Sequence, residues 1–211
     1  MEDKKYEIVE DMKSMYDGKV LYRIRALKDF DDVKKGDLGG YIQDYHNLSQ
    51  EGNCWVYDMS KVMGNARVSG NARVLDSAWL SDDAQAYDNA VISDSILSYN
   101  AKVYGNAIVK ERAWITGNAK VYDNAEVCDN ARISGKAKVY GDAKVYGKAT
   151  VFGNAEACGH AKVYDNARVY GCTKLDGDVE VNGNTQLYDI VKVPRSVKTI
   201  KNGDMEIVML K

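Results

Sequence analysis

The stretch AKVYGDAKVYGKATVFGNA, residues 137–155, states one pattern three times at a spacing of six. Outward from it, alanine recurs at twelve successive sixth positions, from Ala101 to Ala167. Two residues after each alanine stands an aliphatic such as Val103, Val109, Ile115, Val121 or Val139, with Ala157 the small exception. The frame runs back through Ala90, Ala84, Ala78, Ala72 and Ala66 to Ser60 and Cys54. Forwards it degrades to Thr173–Leu175, Val179–Val181, Thr185–Leu187 and Val191–Val193. A period of this kind is the first thing to read in a chain, because it sets the architecture before any local propensity does.

One unit explains itself. In a strand, residues i and i+2 share a face, so alanine and the following aliphatic point inward while their neighbours point outward. Gly-Asn or Asp-Asn completes many units, as at 105–106, 117–118, 123–124 and 165–166. Gly, Asn and Asp tolerate left-handed backbone, and Asx side chains bond their own backbone, so the pair is a corner. Three residues of strand plus a corner cannot form a hairpin with the next unit. They can bend into one turn of a coil, with the next turn stacked in parallel at about 4.8 Å. A helix is excluded by apolar spacings of 2 and 4 and by the recurrent glycines. The expected fold is all-β, a single-stranded parallel β-helix.

The pattern [VIL]-x-x-N-A-x resembles the hexapeptide-repeat superfamily of left-handed β-helices. The resemblance implies three units per triangular coil of 18 residues, a left hand and, commonly, trimers. About eight coils then make a prism roughly 38 Å long. Residues 90–103, AVISDSILSYNAKV, are one residue short of the rhythm, so Ser95 or Ile96 takes the alanine slot at a bulge or tightened corner.

An open solenoid edge polymerises unless capped. Residues 1–47 leave the repeat and read as a β-rich N-terminal cap, with strand-like alternation in 16–30 and a turn and strand in 33–42. Residues 48–193 are the coils. Residues 194–211 form a C-terminal cap, in which Pro194 stops the last coil and a hairpin turns at Asn202-Gly203. The head, LYRIRALKDFDDVKKGDLGGYIQ, followed by NLSQEGNCWVYD and the A-K-V-Y-G-N runs, is also similar to repeat proteins common in phage and prophage genomes. That resemblance implies a phage origin and an action in the host cytoplasm.

Composition narrows the function. Net charge is −2, which gives no basic field for nucleic acid, and no apolar run is long enough to span a bilayer. The four cysteines form no CxxC pair, as expected of reduced thiols in a cytoplasm.

At 18 residues per coil, outward side chains align in ladders. Tyr87, Tyr104, Tyr122 and Tyr140 share one column, with Lys102, Lys120 and Lys138 alongside. They form a candidate ligand or partner surface for a flat or anionic group. Phe152, Tyr170 and Tyr188 form a second column, and Tyr146 and Tyr164 a third. Trp79, Ile96 and Trp114 align on one face, and Trp55 and Ile108 on the next, with Tyr57 and Leu75 beside them. Such outward hydrophobes need covering by a folded-back N-terminus, by a second copy of the chain or by a foreign partner.

Chemistry is sparse. The acyltransferases that the coils resemble use a histidine as general base, and only His46 and His160 exist. His160 occupies a corner slot where Asn usually sits and is the one weak catalytic candidate. Carbonic anhydrases of this architecture need three metal-binding histidines, which two cannot supply. No cofactor or metal site is expected. The sequence therefore favours a non-enzymatic binding or scaffold protein, a homodimer or homotrimer docking on a host component such as a defence or nucleic-acid enzyme. The alternative is an acyltransferase with an atypical site at a subunit boundary.

Overall fold

The computed structural model describes residues 4–16, 18–189, 193, 197–201 and 204–207. Three parallel sheets wrap one bore, and each rung pairs with the rung 18 residues on, as Lys102–Val103 with Lys120–Val121. The face that starts at Trp55–Val56 carries nine parallel rungs, the last being Val197–Lys201 laid on Glu180–Asn182. The fold is thus an all-β parallel β-solenoid of about nine turns.

The periodicity becomes packing directly. Ala101, Val103, Ala107, Val109, Ala113 and Ile115 are each fully buried, and the same alternation continues through Val169. Burying each such valine or isoleucine is worth about 1.5–3 kcal/mol. Alanine occupies the slot next to each corner, where the chain turns sharply and a longer side chain would meet its neighbours in the bore. Between turns the backbone bonds are regular, as Lys102 N to Ala119 O at 2.9 Å and Tyr104 N to Val121 O at 3.0 Å.

The corners differ from the sequence reading in one respect. Their first residue is left-handed, Gly105 at φ +70° and Asp123 at φ +58°. A Cβ on Gly105 would lie 2.9 Å from the Asp123 nitrogen on the coil above. The aspartates there do not bond their own backbone. Asp88, Asp123, Asp129 and Asp165 instead accept the N–H of the glycine one coil on, at 2.8–3.1 Å. The reason is spacing: a left-handed corner aims its side chain along the prism, where the next corner amide lies within reach.

The short coil resolves in favour of Ser95. It is buried in the alanine slot, its carbonyl accepts the N–H of Trp79, and Leu97 fills the aliphatic slot. The missing residue is absorbed by Asp94 at φ +43° and, one coil on, by Glu111 and Arg112, both left-handed at +58° and +66°. Arg112 N then reaches the Asp94 carbonyl at 2.7 Å.

At the first end, β1 (Tyr6–Tyr16), β2 (Lys19–Ala26) and β3 (Leu38–Ile42) continue one face of the prism. β3 lies parallel on Lys61–Val62, and β2 and β1 follow antiparallel. Lys5 closes this end of the bore. It is buried, and its Nζ donates to the carbonyls of Glu51, Gly52 and Cys54 at 3.0–3.3 Å. Burial lowers its pKa, which the neighbouring Cys54 partly offsets. At the far end, strands Val197–Lys201 and Asp204–Ile207 pair antiparallel. Pro194, Val191 and the Asn202-Gly203 turn lie outside the described residues.

Candidate functional site

The tyrosine column stands as a stack of parallel rings. Centroids of Tyr87, Tyr104, Tyr122 and Tyr140 are 4.8–4.9 Å apart with planes within 3°. The strand spacing sets this distance, and each ring shields the next, so burial pushes the Tyr122 phenol up to about 12. Lys102, Lys120 and Lys138 align beside it. The stack ends where Tyr140 meets Cys158 on the next coil. There Glu156 accepts from Lys138 at 2.7 Å, from Lys174 at 3.2 Å and from the Tyr140 hydroxyl at 3.1 Å. Lys110 and Lys144 are matched in the same way by Glu126, and Lys162 by Glu180. Lys102 and Lys120 have no ion-pair partner among the described residues.

The apolar residues are divided by the N-terminal cap. Trp79, Ile96 and Trp114 lie in register on the face that β1–β3 extend. Trp55 lies in the column of Arg73, Val91 and Ile108 on the next face. Trp55 is only 1% exposed, beneath the edges of Phe30 and Tyr6 at 5.4 and 6.0 Å. It is a cap contact and is not available to a partner, because the chain folds back over it. Tyr57 belongs to the same cap: its hydroxyl donates to Asp32 at 2.6 Å, and Arg73 pairs with the other oxygen of that carboxylate. Leu75 is half-buried on the coil above. Trp79 is half-covered by the edge of Tyr16 at 4.4 Å. Beyond the cap, Ile96 is half-buried, while Trp114 and Ile108 are 45% and 39% exposed. The Arg132 guanidinium lies 5.1 Å over the Trp114 ring.

His160 sits on a ridge of corner side chains. Amides of Asn71, Asn89, Asn106 and Asn124 each donate one coil onward at 3.0–3.1 Å, ending on Asp142. His160 continues that line, its ring nitrogens 3.6 Å from Asp142 and 3.3 Å from Asp178. Two carboxylates flank an exposed ring. His46 bonds the Gly64 carbonyl at 2.7 Å on the opposite end of the prism.

One set of metal-type donors escaped the sequence reading. Glu111, Cys128 and Asp129 each bring one ligand atom within 4.8 Å of the others. The signal was hidden because Glu111 is a coil away and lies next to the short turn. Burial, then the charges of Asp129 and Glu126, pushes the Cys128 thiol up to about 11, and Asp129 already accepts the Gly147 N–H. A protonated thiol is a poor metal ligand.

The arrangement defines a class, a capped parallel β-solenoid whose outward side chains form ladders. Residues 66–82 match a family described as YdcK Beta solenoid repeat. A 43-residue stretch is 46% identical to the "Uncharacterized acetyltransferase YdcK" of Escherichia coli (strain K12). That stretch is 20% of this chain and 13% of the relative's length. Among the described residues, no helix is long and apolar enough to cross a membrane.

Proposed function

We propose that this chain is a non-enzymatic scaffold that works by presenting its outer faces, and that a partner docks at the corner bearing Trp114 and Ile108. One observation carries the reading. In the two columns where the N-terminal cap buries Trp55 and half-covers Trp79, Ile108 and Trp114 stand exposed farther along the prism. Exposed rings in line with buried ones are what a docking partner covers. A second copy of the chain fits the cyclic symmetry that a prism favours. A phage or prophage origin, with a host defence or nucleic-acid enzyme as a further partner, extends the reading and rests on the resemblance of the head and repeats alone.

The test is a mass and partner comparison by light scattering and affinity capture. Trp114→Lys combined with Ile108→Lys should shrink the native assembly and release its partners while the solenoid stays folded. An unchanged mass and an unchanged partner set would refute the docking corner. An acyltransferase is the second reading, supported by the name of the relative that matches a 43-residue stretch. It requires an imidazole near an acceptor, so His160→Asn would then lose about 100-fold or more in turnover. In a scaffold the same substitution changes nothing.

A further inference from the structure

On one face the ladders leave a gap. The column above Trp114 runs Arg132, Thr150, Arg168, in register. Thr150 is short, so two arginines about 9.6 Å apart stand on either side of a vacancy. Two hollows of about 440 Å³ each meet over it. One is polar, lined by Asn130, Lys148 and Asn166 along with the Arg–Thr–Arg column. The other is bounded by Trp114, Thr116, Ser134 and Phe152.

The polar hollow gathers three cations on two arginine rungs and the corner between them. Arg132, Lys148 and Arg168 have no carboxylate ion-pair partner among the described residues, whereas Glu126, Glu156 and Glu180 each hold one or two lysines elsewhere. The nearest corner acids, Asp129 and Asp165, accept from the amides of Gly147 and Gly183. Like charges gathered around one hollow repel mildly until an anion joins them. Two arginine forks and an ammonium suit a phosphate ester, which offers oxygens on several sides.

The second hollow holds an unfinished aromatic stack. Phe152 is stacked on Tyr170 at 4.7 Å with planes 5° apart, and Tyr170 continues to Tyr188. On the coil before Phe152 the same column position is Ser134, so the free face of Phe152 looks into the hollow over a small side chain. A flat ring placed there would take the next position in the ladder, on the same rung as Arg132.

We infer that this recess binds a small phosphate monoester carrying a ring, with the phosphate between Arg132 and Arg168 near Lys148 and the ring stacked on Phe152 over Ser134. Nucleotides and sugar phosphates share that chemistry.

Calorimetric titration of the full chain with AMP, glucose 6-phosphate, inorganic phosphate and adenosine tests it. At least one of the two esters should bind at least about tenfold more tightly than inorganic phosphate or adenosine. A preference for AMP assigns the stacking position to a base, and a preference for glucose 6-phosphate assigns it to a sugar. Arg132→Gln and Arg168→Gln should each weaken that ester about tenfold or more. Thr150→Arg, which fills the vacancy on the exterior of a rung, should abolish binding with unchanged circular dichroism, and Lys120→Gln should leave it intact. Esters no tighter than phosphate, or full binding by Arg168→Gln, would overturn the site.

Discussion

Oδ2 of Asp123 accepts the backbone N–H of Gly141, 3.1 Å away and one coil onward. This bond shows why acid and glycine share the corner slot. Glycine adopts the left-handed turn at no steric cost, while aspartate adopts it and also binds the next coil. Asp123→Gly should therefore lose only the hydrogen bond, about 0.5–1.5 kcal/mol. Asp123→Ala loses the bond and adds a left-handed strain of about 1–2 kcal/mol. Chemical denaturation should rank the native protein above Asp123→Gly, and Asp123→Gly above Asp123→Ala. Equal stability of the two variants would mean that the corner backbone relaxes.

The bore is one continuous dry core, so its substitutions should follow volume. Ile115 is fully buried between Leu97 and Ile133 on the adjoining coils. Ile115→Val is expected to cost about 0.5–1.5 kcal/mol and Ile115→Ala about 2–5 kcal/mol, read from urea midpoints at constant slope. The outward neighbour makes the control: Thr116→Ala should stay within about 0.5 kcal/mol.

Acid should loosen the charge ladders. Lys144, then Lys110, holds the Glu126 carboxyl below its ordinary value of 4.5, against the opposing effect of burial. A carboxyl with a lowered folded-state pKa contributes stability that is complete above the ordinary value and fades as pH falls through the lowered one. Glu126→Gln should thus melt below the native protein at about pH 7 and converge with it at about pH 3. A melting difference that persists undiminished in acid would assign the loss to packing instead of charge.

The coils were readable because each unit states its inside and outside through alanine and valine, and because eighteen-residue stacking turns that pattern into columns. The Tyr87–Tyr140 stack and the Trp79–Ile96–Trp114 row both follow from it. What escaped was whatever depends on the third dimension between units. β1 reads YEIVEDMKSMY, whose acids and lysine hide a strand with only Tyr6 buried and Glu10 to Lys13 exposed in succession. The burial of Trp55 depends on Tyr6 and Phe30, which stand outside the periodic frame. The reach of Asp123 to Gly141 required the corner's handed direction, which composition alone does not carry. The vacancy at Thr150 is visible only when its neighbours on both adjoining coils are known to be arginines.

Engineered crosslinking tests the central claim, that residues eighteen apart stand on adjoining rungs of one face. In a Cys172→Ser background, Lys102→Cys with Lys120→Cys places two thiols on paired positions, at a strand spacing within disulfide reach. Mild oxidation should join this pair completely, and Lys102→Cys with Trp114→Cys, twelve residues apart and on a different face, should stay reduced. The opposite pattern, with the twelve-residue pair bridging and the eighteen-residue pair free, would contradict the coil and every column drawn from it.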